Sequence, residues 1–377
     1  MEFLNKFFLL DTKTVKEYLI YKKYFTKDDE IISKEIGDGN INYVFLVKNN
    51  EKSIVVKQAD EFLRANGRPL DSYRSKIEYN ILKEEERLAP GFVPKIYEYD
   101  DTMHTIIMED ISEYKNLRYE LMAGKKFEHF AENISTFLAD SLLPTTDLVL
   151  DSMDKKEKVK KYINKELCLI SENLVLTEPY YDYKSQNRFN KENLDFVTKK
   201  LYENDKLKFE VSKLRNNFMN NSQALIHGDL HSGSIFVNDK GIKIIDPEFA
   251  FYGPIGYDIG NVIANLFFPL ICFENCSWLK ETIIKIFDKT FEKMSVKYDE
   301  IVELPLYKVK EFKEYYLNEI MADTCGYAGT EIIRRTIGDT HVKELDNISA
   351  EKEQEFVNLG IKLIMNRCSI KEGKDLF

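Results

Sequence analysis

Between Ala224 and Glu248 two short apolar runs each end in a polar cluster. Ala224-Leu225-Ile226 leads into His227-Gly228-Asp229-Leu230-His231-Ser232-Gly233-Ser234, and Ile242 to Ile245 leads into Asp246-Pro247-Glu248. Apolar runs this short, bounded by polar and turn residues, read as buried strands. A hairpin-like connection between them predicts Asp229, Asp246 and Glu248 at one edge. Three converging carboxylates repel one another and raise each other's pKa unless a cation lies among them. A hard, oxygen-preferring cation such as Mg²⁺ meets that need. Either cluster alone is an ordinary Asp-containing turn; the two in order, one short strand apart, point to a catalytic edge.

The rest of the chain narrows the classes. Its 377 residues suggest two or three domains or one large two-lobed one. With 44% hydrophobic and 31% charged residues, wholesale disorder and collagen-like structure are excluded. Lys plus Arg number 54 against 64 Asp plus Glu, a net charge of −10. Nucleic acid is therefore not expected as a partner, because polyanion-binding surfaces need clustered positive charge. Five cysteines do not make a disulfide framework, and Cys272 and Cys276 have no second pair to complete a zinc set, so a reducing cytoplasm is expected. The apolar run Phe7 to Leu10 is short and flanked by Glu2 and Asp11, which fits neither a secretory signal nor a membrane span. The stretch from Ile259 to Phe273 carries Asn261, Asn265 and Pro269 and reads as a buried helix.

Texture changes once along the chain. Residues 31 to 59 hold β-branched and aromatic runs broken by Gly37-Asp38-Gly39-Asn40 and Asn49-Asn50, predicting three antiparallel strands. A charged helix follows from Ser72 to Leu88, closed by Ala89-Pro90-Gly91. Ile96 to Tyr99 and Thr105 to Met108 read as two more strands. After Asp110 the pattern is mostly helical. The basic run from Lys155 to Lys161 reads as a solvated helix face, and the tyrosine-rich segment Glu178 to Asn190 as a loop.

His-Gly-Asp followed by a strand and a second Asp resembles the core of the protein-kinase-like small-molecule phosphotransferases, which include the aminoglycoside, choline and homoserine kinases. Within them, DPEFAFYGPIGYDIGNVIANL (Asp246 to Leu266) and the upstream IGDGNINYVFLV are similar to the 5-methylthioribose kinases. The resemblance runs along nearly the whole chain. It implies a two-lobed α+β fold: an antiparallel-sheet N-lobe over 1–110 with five strands and one helix, and a mainly helical C-lobe over 111–377. It implies transfer of the γ-phosphate of ATP, with Mg²⁺, to the anomeric hydroxyl of methylthioribose in methionine salvage, by a cytoplasmic homodimer.

The resemblance also implies roles. Asp229 becomes the base that orients the substrate hydroxyl, and Asp246 the metal ligand. Pro247 lies between Asp246 and Glu248, the second carboxylate of the metal pair. Where protein kinases place a second metal-binding Asn, five residues after the base, this chain has Ser234. Gly37 and Gly39 let backbone approach phosphate oxygens, Asn40 offers an amide, and Asn42 stands where kinases have a third glycine. Lys57, at the end of Ile54-Val55-Val56, meets the α- and β-phosphates, and Glu78 on the following helix holds it. Glu109-Asp110-Ile111 forms the hinge, with adenine on the backbone of Glu109 and Ile111. Asp258 caps a helix and bonds back to the catalytic loop. Arg334 and Arg335 reach the sugar and the transferring phosphate, and His231 lines the same cleft. As a bare pair, the arginines read better as a solvated helix position, and the apolar flanks and the resemblance shift the reading to the sugar and phosphate. Another kinase of the same fold, or a nucleotide-binding pseudokinase, remains open at this level. Lys57, Asp229 and Asp246, all present, argue against the pseudokinase, and the twin arginine argues against a polycationic aminoglycoside substrate.

Overall fold

The computed structural model describes residues 6–36, 41–62, 67 and 69–377. The chain divides into two compact units, 1–114 with 243–249, and 115–242 with 250–377. The segment after the second polar cluster's strand therefore returns to the first unit, which no single boundary near residue 110 anticipates.

In the first unit, helix α1 spans Thr14–Tyr21. Strands β1 (Ile32–Glu35), β2 (Asn42–Lys48) and β3 (Ser53–Ala59) follow, then helix α2 (Tyr73–Leu88), and strands β4 (Ile96–Asp100) and β5 (Thr105–Glu109). The five strands form one sheet in the order β1-β2-β3-β5-β4, every pairing antiparallel. The β2–β3 turn is set by Asn49, whose side-chain oxygen accepts from the N–H groups of Glu51 (3.0 Å) and Lys52 (2.8 Å), the way Asn closes turns on its own backbone.

Strand periodicity then assigns the two faces of β3. Ile54 and Val56 join Phe45, Val47, Val15, Leu19 and Phe25 in a core beneath α1. Lys57 is out of phase with them and meets Glu78 of α2. On α2 the buried residues are Arg74, Ser75, Ile77, Glu78, Ile81, Leu82 and Glu85. This is one helical stripe at i, i+3, i+4 and i+7 spacing, with three charged residues in it.

The second unit is mainly helical. Helix Ile255–Cys272 has the length and apolarity of a membrane span, yet 83% of its residues are buried inside the protein. It packs on helix Lys310–Ile337 through glycines. A Cβ on Gly256 would lie 2.5 Å from Thr324 N, and one on Gly260 2.7 Å from Thr324 O, so alanine at either position would force the helices apart at a cost of about 1–3 kcal/mol. Ala224–Ile226 pairs with Phe251–Gly253, and Lys115–Asn116 pairs with Ile235–Val237. The loop between Ile226 and Ile235 carries the first polar cluster.

Two local expectations change. Glu178–Tyr181 is a short helix with Pro179 in its first turn, where a missing N–H costs nothing. Lys155 lies on helix Ser152–Lys161 but is not solvated. Its ammonium donates to the carbonyls of Thr145 (3.0 Å) and Gln223 (2.8 Å) and sits 4.1 Å from the Tyr252 ring centroid. Burial brings its pKa down to about 8.

Candidate active site

The first unit gathers its chemistry around Lys57. The Lys57 ammonium donates to Glu78 Oε1 at 2.8 Å and to Asp246 Oδ1. Burial works against this cation, but Asp246, Glu78 and Glu248 together hold its pKa above the usual lysine value. Asp246 has φ +68°, a left-handed conformation rare for a residue with a side chain and concentrated at functional sites. Two residues on, Glu248 is buried. Its Oε2 accepts from Asn42 Nδ2 at 3.1 Å and lies 3.3 Å from Arg74 Nε. Gly37, Gly39 and Asn40 lie outside the described residues.

Glu78, Asp246 and Glu248 each bring a carboxylate oxygen to within 4.8 Å of the other two. Three negative charges face the two positive charges of Lys57 and Arg74. The imbalance registers in the acids themselves. Burial, with Asp246 and Glu248 adding to it, pushes Glu78 up to about 8 despite Lys57. Burial and then Asp246 likewise raise Glu248. An all-oxygen donor set short of positive charge fits a hard divalent cation.

At the end of β5, the Glu109 N–H is bonded to Lys95 O (2.9 Å). Its carboxylate accepts from Lys95 N (3.0 Å) and Lys243 Nζ (3.2 Å). The Glu109 N–H is thus already engaged. The Asp110 carboxylate accepts from Ser53 Oγ, Ser112 N (2.9 Å) and Ser112 Oγ. Ile111 O accepts from Tyr114 N at 2.8 Å.

In the second unit, Asp229 stands on a loop that is braced from four sides. Asp258 accepts from the N–H groups of His227 (2.6 Å) and Gly228 (3.0 Å). Its helix begins three residues earlier, at Ile255, so the supporting role holds and the N-cap role does not. Ser234 Oγ lies 3.0 Å from His231 N, 3.1 Å from Asp229 O and 2.9 Å from His231 O, so this hydroxyl is engaged within the loop itself. Asn116 Nδ2 donates to Gly233 O at 2.7 Å. Arg118 donates to Ser232, from N to O at 3.2 Å and from Nε to Oγ at 3.3 Å.

His231 Nδ1 accepts from the N–H groups of Gly233 (3.0 Å) and Ser234 (3.1 Å). The ring's proton therefore belongs on Nε2, which lies 3.5 Å from Asp229 Oδ2. Arg335 Nη2 is 3.6 Å from Asp229 Oδ1, while its Nε donates to Glu331 Oε1 at 2.7 Å. Arg334 turns to the same acid, Nη1 to Oε1 at 3.3 Å. Both arginines are thus paired and largely buried, which removes the solvated-helix alternative.

Burial alone would raise the Asp229 pKa. His231, Arg335 and Arg334 outweigh it and bring the value down to about 2. The histidine acts this way only while charged, and burial pushes its own pKa down to about 4. At neutral pH the arginines are what keep Asp229 ionised.

Asp246 and Glu248 meet as expected, but Asp229 belongs to the other unit, and Glu78 is the third acid of their cluster. The sequence reading missed Arg74, Glu331 and Arg118. Arg74 and Glu331 each had a signal: Arg74 lies four residues before Glu78 on the apolar stripe of α2, and Glu331 lies three and four residues before the arginine pair. Charged residues at core positions of a helix are rare unless paired.

A buried lysine held by a helix glutamate, an aspartate in the left-handed region and an ionised aspartate on a braced His-Gly-Asp loop fit a phosphotransferase of the protein-kinase-like class. The model of the phosphotransferase enzyme family matches residues 182–272. Among solved structures, choline kinase from Cryptosporidium parvum shares 16% identity with a TM-score of 0.52, covering 95% of each chain. Ethanolamine kinase from Plasmodium vivax shares 16% at 0.50, covering 95% of this chain and 89% of that one. These likenesses establish the fold. The methylthioribose kinase of Geobacillus sp. is 37% identical over 93% of this chain and 90% of its own. That of Exiguobacterium sibiricum is 36% identical over 93% and 92%. The chain belongs to the methylthioribose kinase family.

Proposed function

We propose that the protein phosphorylates the anomeric 1-hydroxyl of 5-methylthioribose with ATP, giving 5-methylthioribose 1-phosphate, a step of methionine salvage. The observation that carries this reading is the pairing of an ionised Asp229 with Arg335 in a chain whose relatives bear that name. Lys57, fixed by Glu78, binds the α- and β-phosphates. Bound by Asp246 and Glu248, Mg²⁺ would supply neutralisation of charge on the phosphates. Asp229 orients the sugar hydroxyl and takes its proton. An anomeric hydroxyl is more acidic than an ordinary alcohol, so a weak base suffices.

Arg335, held by Glu331, directs positive charge toward the acceptor side, where negative charge arrives during transfer. Arg334 and His231 complete the sugar side. Adenine takes the Glu109 carbonyl and the Ile111 backbone. The family resemblance supports a cytoplasmic homodimer.

A coupled assay of ATP consumption tests the reading with methylthioribose against ribose, choline and kanamycin. Turnover that is fastest with methylthioribose is the expected result. Faster turnover with choline or kanamycin overturns the substrate assignment, and no turnover with any of them overturns the kinase.

A further inference from the structure

We propose that Arg74 and Asn42 are positioning residues for Glu248, so that helix α2 sets the metal side of the site as well as the lysine side. The inference rests on the reading of Asp246 and Glu248 as the Mg²⁺ pair. Glu78 and Arg74 lie one helical turn apart on the buried stripe of α2. Glu78 holds Lys57 at 2.8 Å. Arg74 holds Glu248, with Nε 3.3 Å from Oε2. Asn42, the first residue of β2, closes a triangle. Its Nδ2 donates to the same Glu248 oxygen at 3.1 Å, and its Oδ1 accepts from Arg74 Nη2 at 3.1 Å. Arg74, Asn42 and Glu248 are all buried.

Arg74 also donates through Nη1 to the carbonyls of Asp60 (2.9 Å), Leu70 (3.3 Å) and Asp71 (3.1 Å). A guanidinium carries five N–H donors in a fixed plane, against three on an ammonium, and so can face carbonyl, amide and carboxylate partners at once. One oxygen of Glu248 thus accepts from the Asn42 amide and faces the charge of Arg74, which biases the carboxylate's orientation beside Asp246. Partners of this kind outside the ligand set commonly govern metal affinity by about 10–100-fold. Asn42 occupies the position where protein kinases have a glycine, so a residue that departs from that pattern has a defined task here.

The test is calorimetric titration of the full chain with ADP across a series of MgCl₂ concentrations, and with EDTA. In the wild type, Mg²⁺ is expected to strengthen ADP binding. Arg74→Met is expected to raise the Mg²⁺ concentration for half-maximal enhancement by about tenfold, with metal-free ADP affinity within about twofold of wild type. Asn42→Leu leaves the carbonyl contacts of Arg74 in place and is expected to move the midpoint the same way. It decides the matter alone if Arg74→Met does not fold.

An unchanged midpoint overturns the proposal, and so does a loss of ADP affinity that is equal with and without Mg²⁺, since that is a purely structural role. Wild-type ADP binding that ignores Mg²⁺ overturns the reading of the metal pair itself, and the wild-type arm alone reports that.

Discussion

Glu78 and Glu248 of the first unit and Asp229 of the second are shifted in opposite directions. In the first unit Glu78 is pushed up to about 8 and Glu248 is raised. In the second Asp229 is brought down to about 2. All three are carboxylates under a burial penalty, so burial does not explain the contrast. Local charge count does. Three acids share Lys57 and Arg74 in the first unit, whereas Asp229 has Arg335 beside it and Arg334 near. One site is short of positive charge and suited to receive a cation with a nucleotide. The other is already neutralised and keeps an aspartate ionised.

Removing a proposed metal ligand should break that contrast most severely. Asp246→Ala is expected to lower turnover by more than about 10³-fold, because several kcal/mol of charge neutralisation go with the metal. ADP binding should lose its Mg²⁺ dependence at the same time. Steady-state rates and calorimetry check both, and residual turnover within tenfold of wild type would remove Asp246 from the metal site.

Asp229→Asn is the matching change on the other side. Turnover should fall by roughly 10²–10⁴-fold, the scale for a positioned base, while Mg²⁺-dependent ADP binding persists. If the two variants lose the same functions, the division of labour between the units is wrong.

How readable this was from the sequence differs between the sites. The strands, the lysine and Glu78 follow from period-two and period-3.6 patterns, because apolar faces must be buried somewhere. The twin arginine could be seen, but its burial could not. A charged residue at a core position is tolerated only with its partner, and Glu331 becomes a partner only once a helix brings residues three and four apart together. Arg74 and Glu248 lie 174 positions apart, and no local pattern pairs them. The placement of Asp229 and Asp246 in different units was not readable either, since the short strand between them suggested one edge.

The arginines sharpen the comparison at smaller scale. Arg335 points to Asp229 and Arg334 does not. Arg335→Met should therefore cost about tenfold or more in kcat/KM for methylthioribose, about 1.4 kcal/mol, with ADP affinity little changed, and should also lower Tm, because buried Glu331 loses its nearer partner. Arg334→Met should cost less. The reverse ranking would mean that Arg334 reaches the transferring group when substrate is bound.

The smallest effect tests why Asp229 remains ionised. His231 has its pKa brought down from the usual 6.5 to about 4, by burial first and then by Arg118 and Arg335, against the pull of Asp229. Between those two values the unfolded chain takes up a proton at this ring and the folded protein does not. Stability therefore falls as pH drops from about 6.5 to about 4, and this contribution levels off below the folded value. His231→Asn isolates it. The Asn side-chain oxygen can stand where Nδ1 accepts from Gly233 and Ser234, so the loop keeps its brace while the titration is gone. Measured from pH 7 to pH 4.5, the variant should lose less Tm than the wild type, by a few degrees. Parallel curves would show that the ring is charged in the folded protein at mildly acidic pH. His231, rather than the arginines alone, would then be holding Asp229 ionised, and the second unit would owe its charge balance to pH.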